Sequence, residues 1–311
     1  MSTIYIIHEH IDWTKAITKW LDEAGVAYEL WDLSKGRLNL AKEPPQGIFY
    51  NRMSASSHTR GHRYAPEYTQ QVIKWLEHHG RKVINGSAAI DLEISKIKQY
   101  LALSDFGIKT PKTVAAFGRE EIISAARDLY TYPLVIKHNR AGKGLGVHLF
   151  DNEEALIDYV TGDDFEPSVD GITLLQAYIK PHDGSIRRAE FIGKEYIYTL
   201  AIDSSDGFEL CPADACQLDV AKQTAPCSID GKFRIVEPLD KAIVDTYTHF
   251  LSETGIDVAA IEWAEDSNGN RYVYDINTNT NYNADAERKA GVSAPKQLAD
   301  YLITELENLS S

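Results

Sequence analysis

Strand-like and helix-like patterns of apolar residues alternate along the first ninety residues of the chain. Short apolar runs predict strands at Ile4–Ile7, Ala27–Leu33, Gly47–Tyr50 and Lys82–Ile84. Apolar residues at helical spacing predict helices over Trp13–Ala24 and Ala65–His79, ended by Gly25 and Gly80. Alternation of this kind is typical of a small α/β domain with a parallel sheet.

The pattern changes after residue 90, and strands dominate towards the C-terminus. Helices are predicted at Glu93–Phe106, Arg119–Asp128, Glu153–Val160, Leu239–Gly255 and Pro295–Leu309. Strands are predicted at Leu134–His138, Gly146–Phe150, Thr173–Ile179, Ile186–Phe191 and Glu195–Ile202. This order indicates a small α+β unit followed by a strand-rich unit.

The most informative pattern is a predicted hairpin within the strand-rich unit. Its turn contains Asn-Gly at 268–269, a dipeptide that favours tight hairpins. Pairing about that turn places Glu262 opposite Asp275, and strand alternation puts Asn277 on the same face as Asp275. Opposed carboxylates destabilise a sheet unless a cation neutralises them, and hard oxygens suit Mg²⁺. The hairpin therefore predicts a metal site, with a solvated acidic hairpin as the alternative.

Composition and charge are those of an acidic globular protein. The 311 residues are 43% hydrophobic and 25% charged, which predicts a well-buried core. Lys and Arg number 32 against 46 Asp and Glu, and the net charge of -14 argues against nucleic-acid binding as the main activity. We interpret the cysteines as reduced thiols because they lack zinc-like spacing; they are Cys211, Cys216 and Cys227. Without a signal-peptide pattern or a membrane-spanning run, a soluble cytoplasmic protein is expected.

A glycine-rich loop with the sequence Arg-Ala-Gly-Lys-Gly-Leu-Gly lies between two predicted strands, at 140–146. Because a strand follows it, the loop is neither a dinucleotide fingerprint nor a Walker loop, and we interpret it as a mobile flap. Its glycines would let backbone N–H groups approach phosphate oxygens, and Lys143 would add a charge; a simple turn is the alternative. Lys137 and Lys96 are further candidate phosphate ligands, or solvated lysines.

Arginines supply the remaining candidates. Arg187 and Arg188 lie on opposite faces of one predicted strand, so only one is expected to face anionic ligand groups. The loop after Tyr50 leaves the carboxyl end of a strand, where open α/β sheets bind ligands. It carries three arginines that could hold the carboxylate of an amino acid or peptide, or be ordinary surface residues: Arg52, Arg60 and Arg63.

In this order the motifs resemble those of the ATP-grasp superfamily. They are Lys96 ahead of a helix ending in Gly107-Ile108 with Pro111 beyond, Pro133–Lys137 with its glycine loop, Leu175–Ile179, Ile186-Arg187, and Glu262 with Asp275-Ile276-Asn277. The chain is most similar to the RimK-type ribosomal-protein glutamate ligases and glutathione-synthetase-like ligases. The resemblance implies a combined α/β and α+β fold. A Rossmann-like pre-ATP-grasp domain would cover residues 1–92, the small ATP-grasp lobe 93–172 and the large lobe 173–311.

The resemblance also implies an activity. The protein would be an ATP-dependent carboxylate–amine ligase that forms an amide or peptide bond through an acyl phosphate, on an amino acid, peptide or protein tail. ATP would lie between the lobes with two Mg²⁺ ions, or Mn²⁺, held by Glu262, Asp275 and Asn277. Arg187 would contact the transferred phosphoryl group. The implied nucleotide-binding residues are Lys96, Lys137, Gly142, Lys143, Gly144, Gly146, Gln176, Ala177, Tyr178, Ile179 and Asp183.

Two other functions are compatible with these motifs. An ATP-grasp kinase would stop after phosphorylating its substrate, and an inactive nucleotide-binding scaffold would not turn over at all. We expect neither a nucleic-acid nor a membrane partner, and the resemblance allows a homo-oligomer. Asn279 and Asn281 extend the last motif, and we interpret them as polar turn caps. The sequence identifies neither the acid nor the amine.

Overall fold

The computed structural model describes residues 3–142, 144, 146–204 and 232–309. Their strands form three sheets. The predictions made for Lys143 and for the cysteines lie outside the described residues. Within the described part, no helix combines the length and the apolar character needed to cross a membrane.

Residues 3–84 form the parallel sheet that the alternating pattern predicts. Its strands are β1 (Thr3–His8), β2 (Tyr28–Asp32), β3 (Gly47–Asn51) and β4 (Lys82–Ile84), in the order β2-β1-β3-β4. Two helices connect them, α1 (Lys15–Glu23) and α2 (Ala65–His78). Ile4 and Ile6 pack with α1, whereas Tyr5 and Ile7 pack with α2. Burial on both faces explains why β1 is apolar throughout.

Two helices replace the single helix predicted from Glu93 to Phe106. They are α3 (Ser87–Glu93) and α4 (Lys96–Asp105). Ser95 separates them in an extended conformation, and its Oγ accepts a hydrogen bond from the Lys98 N–H at 3.3 Å. This N-cap begins α4 at Lys96, whose own N–H donates to the carbonyl of Asn139 at 3.1 Å. The break therefore fixes Lys96 beside Asn139, directly after the strand predicted at Leu134–His138.

The second sheet is antiparallel and carries two helices. Its strands are β5 (Thr113–Phe117), β6 (Leu134–His138), β7 (His148–Phe150) and β8 (Ile172–Ala177), in the order β5-β8-β6-β7. Its helices are α5 (Ile122–Leu129) and α6 (Glu153–Thr161). The sequence pattern missed β5. The strand predicted from Thr173 is β8, which pairs with β5 and β6.

The third sheet carries the predicted hairpin. Its strands are β9 (Ser185–Ile192), β10 (Glu195–Asp203), β11 (Phe233–Val236), β12 (Val258–Glu265) and β13 (Arg271–Asn277), in the order β11-β10-β9-β12-β13. Three helices accompany it: α7 (Lys241–Glu253), α8 (Ala284–Ala290) and α9 (Ala294–Asn308). Of these elements, β11 and α8 were not predicted. One face packs against α7 through Phe191 and Phe250, and Ile192 and Leu298 join α9 to the core shared with the first sheet.

Asn85, directly after β4, ties the first sheet to the third. Its Nδ2 donates to the carbonyls of Val258 and Thr278, both at 2.7 Å. Its Oδ1 accepts from the N–H groups of Asp257 and Val258, both at 3.0 Å. The residue is fully buried and adopts a positive φ of 57°. The start of β12 and the loop after β13 are therefore fixed by one side chain from the N-terminal part of the chain.

Candidate functional site

A cavity of about 380 Å³ is lined by residues from all three sheets and their loops. The first sheet contributes Ser54 and Ser56 from the loop after β3. The second contributes Val135 and Gln176, which are register partners on β6 and β8. The third contributes Glu262 and the residues at the end of β13. The cavity is therefore the place where the three sheets meet.

The predicted pairing of the two acidic residues is confirmed. Glu262 on β12 is the register partner of Asp275 on β13, and both line the cavity. Asn277 also lines it, and its Nδ2 donates to Glu262 Oε1 at 3.1 Å. Because Nδ2 is turned to Glu262, the Oδ1 of Asn277 remains as an acceptor. Two carboxylates and an amide oxygen thus stand together.

A bulge in the hairpin changes the expected side of one tyrosine. Pairing passes from Glu262–Asp275 to Trp263–Val273, so Tyr274 has no register partner on β12. Strict strand alternation would place Tyr274 on the face away from Asp275, its neighbour in sequence, yet both residues line the cavity. An extra residue of this kind redirects neighbouring side chains, which simple alternation cannot foresee.

Both candidate lysines lie at the acidic residues. Lys96 Nζ donates to Asp275 Oδ1 at 2.7 Å, with the carbonyl of Ala141 3.4 Å away. Lys137 Nζ donates to the carbonyl of Tyr274 at 3.3 Å and lies 5.2 Å from the ring centroid of Tyr100. Burial, followed by the proximity of Lys96, lowers the pKa of Lys137 to about 7. Neither lysine is a solvated surface residue.

Arg188, and not Arg187, is the arginine that faces the cavity. Arg188 is the register partner of Glu262, whereas Arg187 is that of Trp263 on the opposite face. Arg187 pairs instead with Asp183, through Nη2 and Oδ2 at 2.5 Å. The structure therefore brings Arg188 to the cavity, and not Arg187, which was predicted to meet the transferred group. Sequence alternation alone could not choose between them, because the choice depends on how β9 pairs with β12.

Arg188 is held by a buried set of acceptors. Its Nη1 donates to Glu262 Oε1 at 2.5 Å, and its Nε donates to Glu190 Oε1 at 2.6 Å. Its Nη2 donates to Thr280 Oγ1 at 2.5 Å, and the Thr280 hydroxyl donates to the second oxygen of Glu190 at 2.8 Å. Burial raises the pKa of Glu190 and of Glu262, and Arg188 opposes both shifts. Burial would lower the pKa of Arg188, but the two carboxylates outweigh it and raise that pKa.

The residues predicted to bind the nucleotide divide into two groups. The described ones that line the cavity are Lys96, Lys137, Gly142, Gly144, Gln176, Ala177, Tyr178 and Ile179. Gly146 and Asp183 are not among the lining residues, so the structure does not bring these two to the cavity. Gly146 packs on His138, where an added Cβ would lie 2.5 Å from the imidazole Cε1. The carboxylate of Asp183 accepts hydrogen bonds from Arg187 and from the N–H of Ser185.

The three candidate substrate arginines already have partners within the chain. Arg60 is bound to both carboxylate oxygens of Glu9. Arg63 is bound to Glu67 and to the carbonyl of Val169. The guanidinium of Arg52 is bound to the loop after β13 through Asn279 Oδ1, the Thr280 carbonyl and Asn281 Oδ1. None of the three is a lining residue, so direct substrate contact is not supported for any of them.

Other lining residues were missed or interpreted differently from the sequence. Asn279 and Asn281, interpreted as turn caps, line the cavity and accept hydrogen bonds from Arg52. The side chain that caps the following helix, α8, is that of Asn283. Glu93 also lines the cavity, although it seemed only to begin a helix. No sequence signal marks Glu93, because its position depends on the break between α3 and α4.

Comparisons with known proteins bear on this arrangement. No family model matches the chain. A probable alpha-L-glutamate ligase of Saccharophagus degradans is 26% identical over 143 residues, which are 45% of this chain and 46% of that protein. The alpha-aminoadipate–LysW ligase LysX of Sulfurisphaera tokodaii is 30% identical over 113 residues, 36% of this chain and 39% of that protein. The chain thus spans less than half the length of these curated relatives.

Solved structures match over nearly the whole chain. The RimK-domain ATP-grasp protein of Sphaerobacter thermophilus aligns with a TM-score of 0.64 and 17% identity, covering 97% of this chain and 100% of that one. This chain has the ATP-grasp fold. The ATP-grasp ligase PsnB, solved with a minimal precursor, Mg and ADP, aligns with a TM-score of 0.66 and 15% identity over 97% of both chains. The resemblance to RimK-type ATP-grasp ligases that the motifs indicated is confirmed.

Proposed function

We propose that this protein is an ATP-dependent ligase that joins a carboxylate to an amine through an acyl phosphate. The observation that carries the proposal is the meeting of Lys96, Lys137 and Arg188 with Glu262 and Asp275 around one cavity of an ATP-grasp fold. Phosphoryl transfer needs positioning and charge neutralisation more than a protein nucleophile. This set of side chains supplies both.

The residues present fit magnesium ions bound together with a nucleotide. Glu262 and Asp275 offer carboxylates, and Asn277 keeps its amide oxygen as an acceptor. Among the described residues, no cluster of three or more His, Cys, Asp or Glu could hold a metal without help. A site with two carboxylates and an amide suits Mg²⁺, which usually keeps water and phosphate oxygens as its other ligands. Bound there, Mg²⁺ would neutralise charge on the phosphates.

The chain's own cations would hold the reacting phosphate groups. Lys96 and Lys137 would pair with phosphate oxygens, and Gly142 and Gly144 would bring backbone N–H groups close to them. Arg188 would bind the phosphoryl group as it passes to the substrate carboxylate, since Glu190 fixes the direction of its guanidinium. Val135, Leu149 and Gln176 are register partners on neighbouring strands of the second sheet and would line the region for the adenine.

The proposal is tested by following ADP and phosphate release from purified protein with ATP, Mg²⁺ and pooled amino acids and dipeptides. Release that requires both an acid and an amine, with a product whose mass equals a condensation, supports a ligase. Release with an acid alone, together with a stable phosphorylated product, supports the kinase instead. No release with any pool would leave the scaffold as the remaining function.

Removal of a metal ligand tests the site itself. Asp275→Ala and Asn277→Ala are expected to abolish turnover, because the nucleotide phosphates would lose their metal-bound position. Asn277→Ala should fold like the parent protein, whereas Asp275→Ala should also lose stability because Lys96 loses its partner. Circular dichroism and thermal unfolding check the fold, and ADP release checks activity. Unchanged turnover in both variants would contradict the metal assignment.

Several finer expectations from the sequence stay predictions. They are the domain boundaries with a separate Rossmann-like N-terminal domain, the number of metal ions, the use of Mn²⁺, a cytoplasmic location, the absence of a nucleic-acid partner and a homo-oligomeric state. Relatives of similar fold include PsnB in complex with its precursor peptide PsnA2. A peptide substrate is therefore kept beside a free amino acid in the proposed activity.

A further inference from the structure

Arg188 has more donors than its partners among the described residues use. An arginine carries five N–H donors, and three are accounted for: Nε binds Glu190, Nη1 binds Glu262 and Nη2 binds Thr280. The donors left over lie on Nη1 and Nη2, one on each terminal nitrogen. Arg188 lines the cavity, whereas Glu190 and Thr280 do not. Both terminal nitrogens would therefore bind a phosphoryl group in the cavity, as long as the guanidinium keeps this orientation.

The hydroxyl of Thr280 closes a ring of hydrogen bonds around one edge of that guanidinium. Because an arginine only donates, Thr280 Oγ1 accepts from Arg188 Nη2 at 2.5 Å and uses its own hydrogen to donate to Glu190 Oε2 at 2.8 Å. Glu190 Oε1 completes the ring by accepting from Arg188 Nε at 2.6 Å. Glu190 and Thr280 are fully buried, so solvent does not compete with either of them. A rotation of the guanidinium would break both of its bonds to the ring.

The first sheet holds Thr280 in place. Arg52, directly after β3, donates from Nη2 to the carbonyl of Thr280 at 3.0 Å, and its own N–H donates to the carbonyl of Ile7 on β1 at 2.8 Å. Two residues earlier in the loop, the carbonyl of Thr278 accepts from Asn85 at 2.7 Å. The buried guanidinium of Arg52 therefore holds the loop after β13, which explains why this arginine lies outside the cavity.

We propose that Thr280 is a positioning residue for phosphoryl transfer. Its hydroxyl, together with Glu190, fixes the plane of Arg188 so that one N–H on each terminal nitrogen faces the transferred group. Arg52 supports this arrangement from the first sheet by holding the carbonyl of Thr280. The inference rests on the proposed ligase function and deepens it, because it gives the loop after β13 a part in the chemical step.

Two substitutions at one position separate the hydroxyl from the volume of the side chain. Thr280→Val keeps the shape but leaves Arg188 Nη2 and Glu190 Oε2 without their partner, so the kcat for ADP release should fall about tenfold or more. The KM for ATP should stay within about twofold, because Thr280 does not line the cavity. Thr280→Ser keeps a hydroxyl and should bring the kcat back to within about threefold of that of the parent protein.

The assay uses the acid and the amine that the pooled experiment identifies. Calorimetry with magnesium ADP measures the number of nucleotide sites in each preparation, so that every kcat refers to folded protein. Thr199→Val is the matched control, since it removes another buried hydroxyl of the third sheet, one that is bonded to Tyr196 and lies outside the cavity. Its kcat should stay within about twofold of that of the parent protein.

A double variant shows whether Thr280 acts through Arg188. In an Arg188→Lys background, Thr280→Val should lower the kcat by no more than about a further twofold, because a lysine has no planar guanidinium to orient. An effect that came from stability alone would be the same in both backgrounds. Equal losses in the two backgrounds would therefore overturn the inference.

Two other results would also overturn it: a Thr280→Val variant with the kcat of the parent protein, and a loss that Thr280→Ser does not restore. If Thr280→Val does not fold, Arg52→Lys decides. That variant keeps the charge but cannot reach all the acceptors of Arg52 together, so its kcat should fall about threefold or more with the KM for ATP unchanged. An unchanged kcat in Arg52→Lys would refute the inference and leave the ligase function standing. No ADP release from the parent protein with any pool would instead refute the ligase function, and the inference with it.

Discussion

Lys96 and Lys137 show how two buried lysines in one cavity acquire different properties. Lys96 has Asp275 as a charged partner at 2.7 Å. Lys137 has a carbonyl and two aromatic rings, and no carboxylate of the described part lies within ion-pair distance of its Nζ. Burial and the neighbouring lysine lower the pKa of Lys137 to about 7, which makes this residue sensitive to the arrival of phosphate.

Nucleotide binding is therefore expected to be coupled to proton uptake. With a pKa of about 7, Lys137 is mostly neutral at pH 8, and nearby phosphate oxygens raise that pKa and charge it. Close to one proton should be taken up at pH 8 and little at pH 6, so affinity falls as the pH rises above 7. Calorimetry with magnesium AMP-PNP in two buffers of different ionisation enthalpy measures the uptake. Lys137→Met should lose the proton uptake, whereas Lys96→Met should keep only part of it, because burial still lowers the pKa of Lys137 but the neighbouring charge is gone. Uptake that persists in Lys137→Met would contradict this assignment.

The two neighbouring arginines offer a matched comparison. Arg188→Lys keeps the charge but cannot reach three acceptors at once, so we expect the kcat for ADP release to fall about tenfold or more. The kcat of Arg187→Lys should stay within about twofold of that of the parent protein, because Arg187 lies on the opposite face and pairs with Asp183. Thermal unfolding accompanies both assays, since disturbing a buried ion pair costs about 3–5 kcal/mol when a charge is left alone. A larger loss in Arg187→Lys would show that the faces are assigned the wrong way round.

At the scale of the elements, local patterns predicted much of what the structure contains. The opposition of Glu262 to Asp275 was predicted from residues close in sequence, and the structure agrees. The turn itself differs from a two-residue Asn268-Gly269 turn, because Glu265 pairs with Arg271 and the bulge after Glu262 restores the predicted pair. The arginine that faces the cavity does not follow from the sequence, because it depends on the pairing of β9 with β12 across more than sixty residues of chain. The break before α4 was missed because apolar spacing continues across Ser95.

Asn85 is the element-scale connection that we expect to matter most for stability. Asn85→Ala removes four hydrogen bonds and leaves an alanine at a positive φ, so the free energy of unfolding should fall by about 3 kcal/mol or more. Tyr130→Ala is the matched control, since Tyr130 also has a positive φ, of 50°, but is exposed. The free energy of unfolding of Tyr130→Ala should differ from that of the parent protein by no more than about 0.5 kcal/mol. Denaturant unfolding measures both; equal losses would mean that backbone strain, and not the link between sheets, dominates.

At the scale of the whole molecule, an acidic protein gathers cations at one place. The net charge is -14, yet the described lining residues include two lysines and an arginine: Lys96, Lys137 and Arg188. Two of them, Lys96 and Arg188, pair with carboxylates that would bind magnesium. When magnesium and phosphate bind, the carboxylates can therefore pair with the metal and the basic side chains with phosphate, within one site. The ATP-grasp fold brings these groups together from α4 and from the second and third sheets, which explains why no single motif in the sequence identified the site.

The central claim is that a substrate carboxylate is activated as an acyl phosphate at this site. The most direct measurement uses amino acids labelled with ¹⁸O in both carboxyl oxygens, incubated with ATP, Mg²⁺ and the protein, followed by mass spectrometry of the released phosphate. When the amine displaces phosphate, the carbon–oxygen bond breaks and one labelled oxygen leaves with the phosphorus. The account predicts condensation products together with phosphate carrying one ¹⁸O. Label in AMP, or unlabelled phosphate without any condensation product, would contradict it.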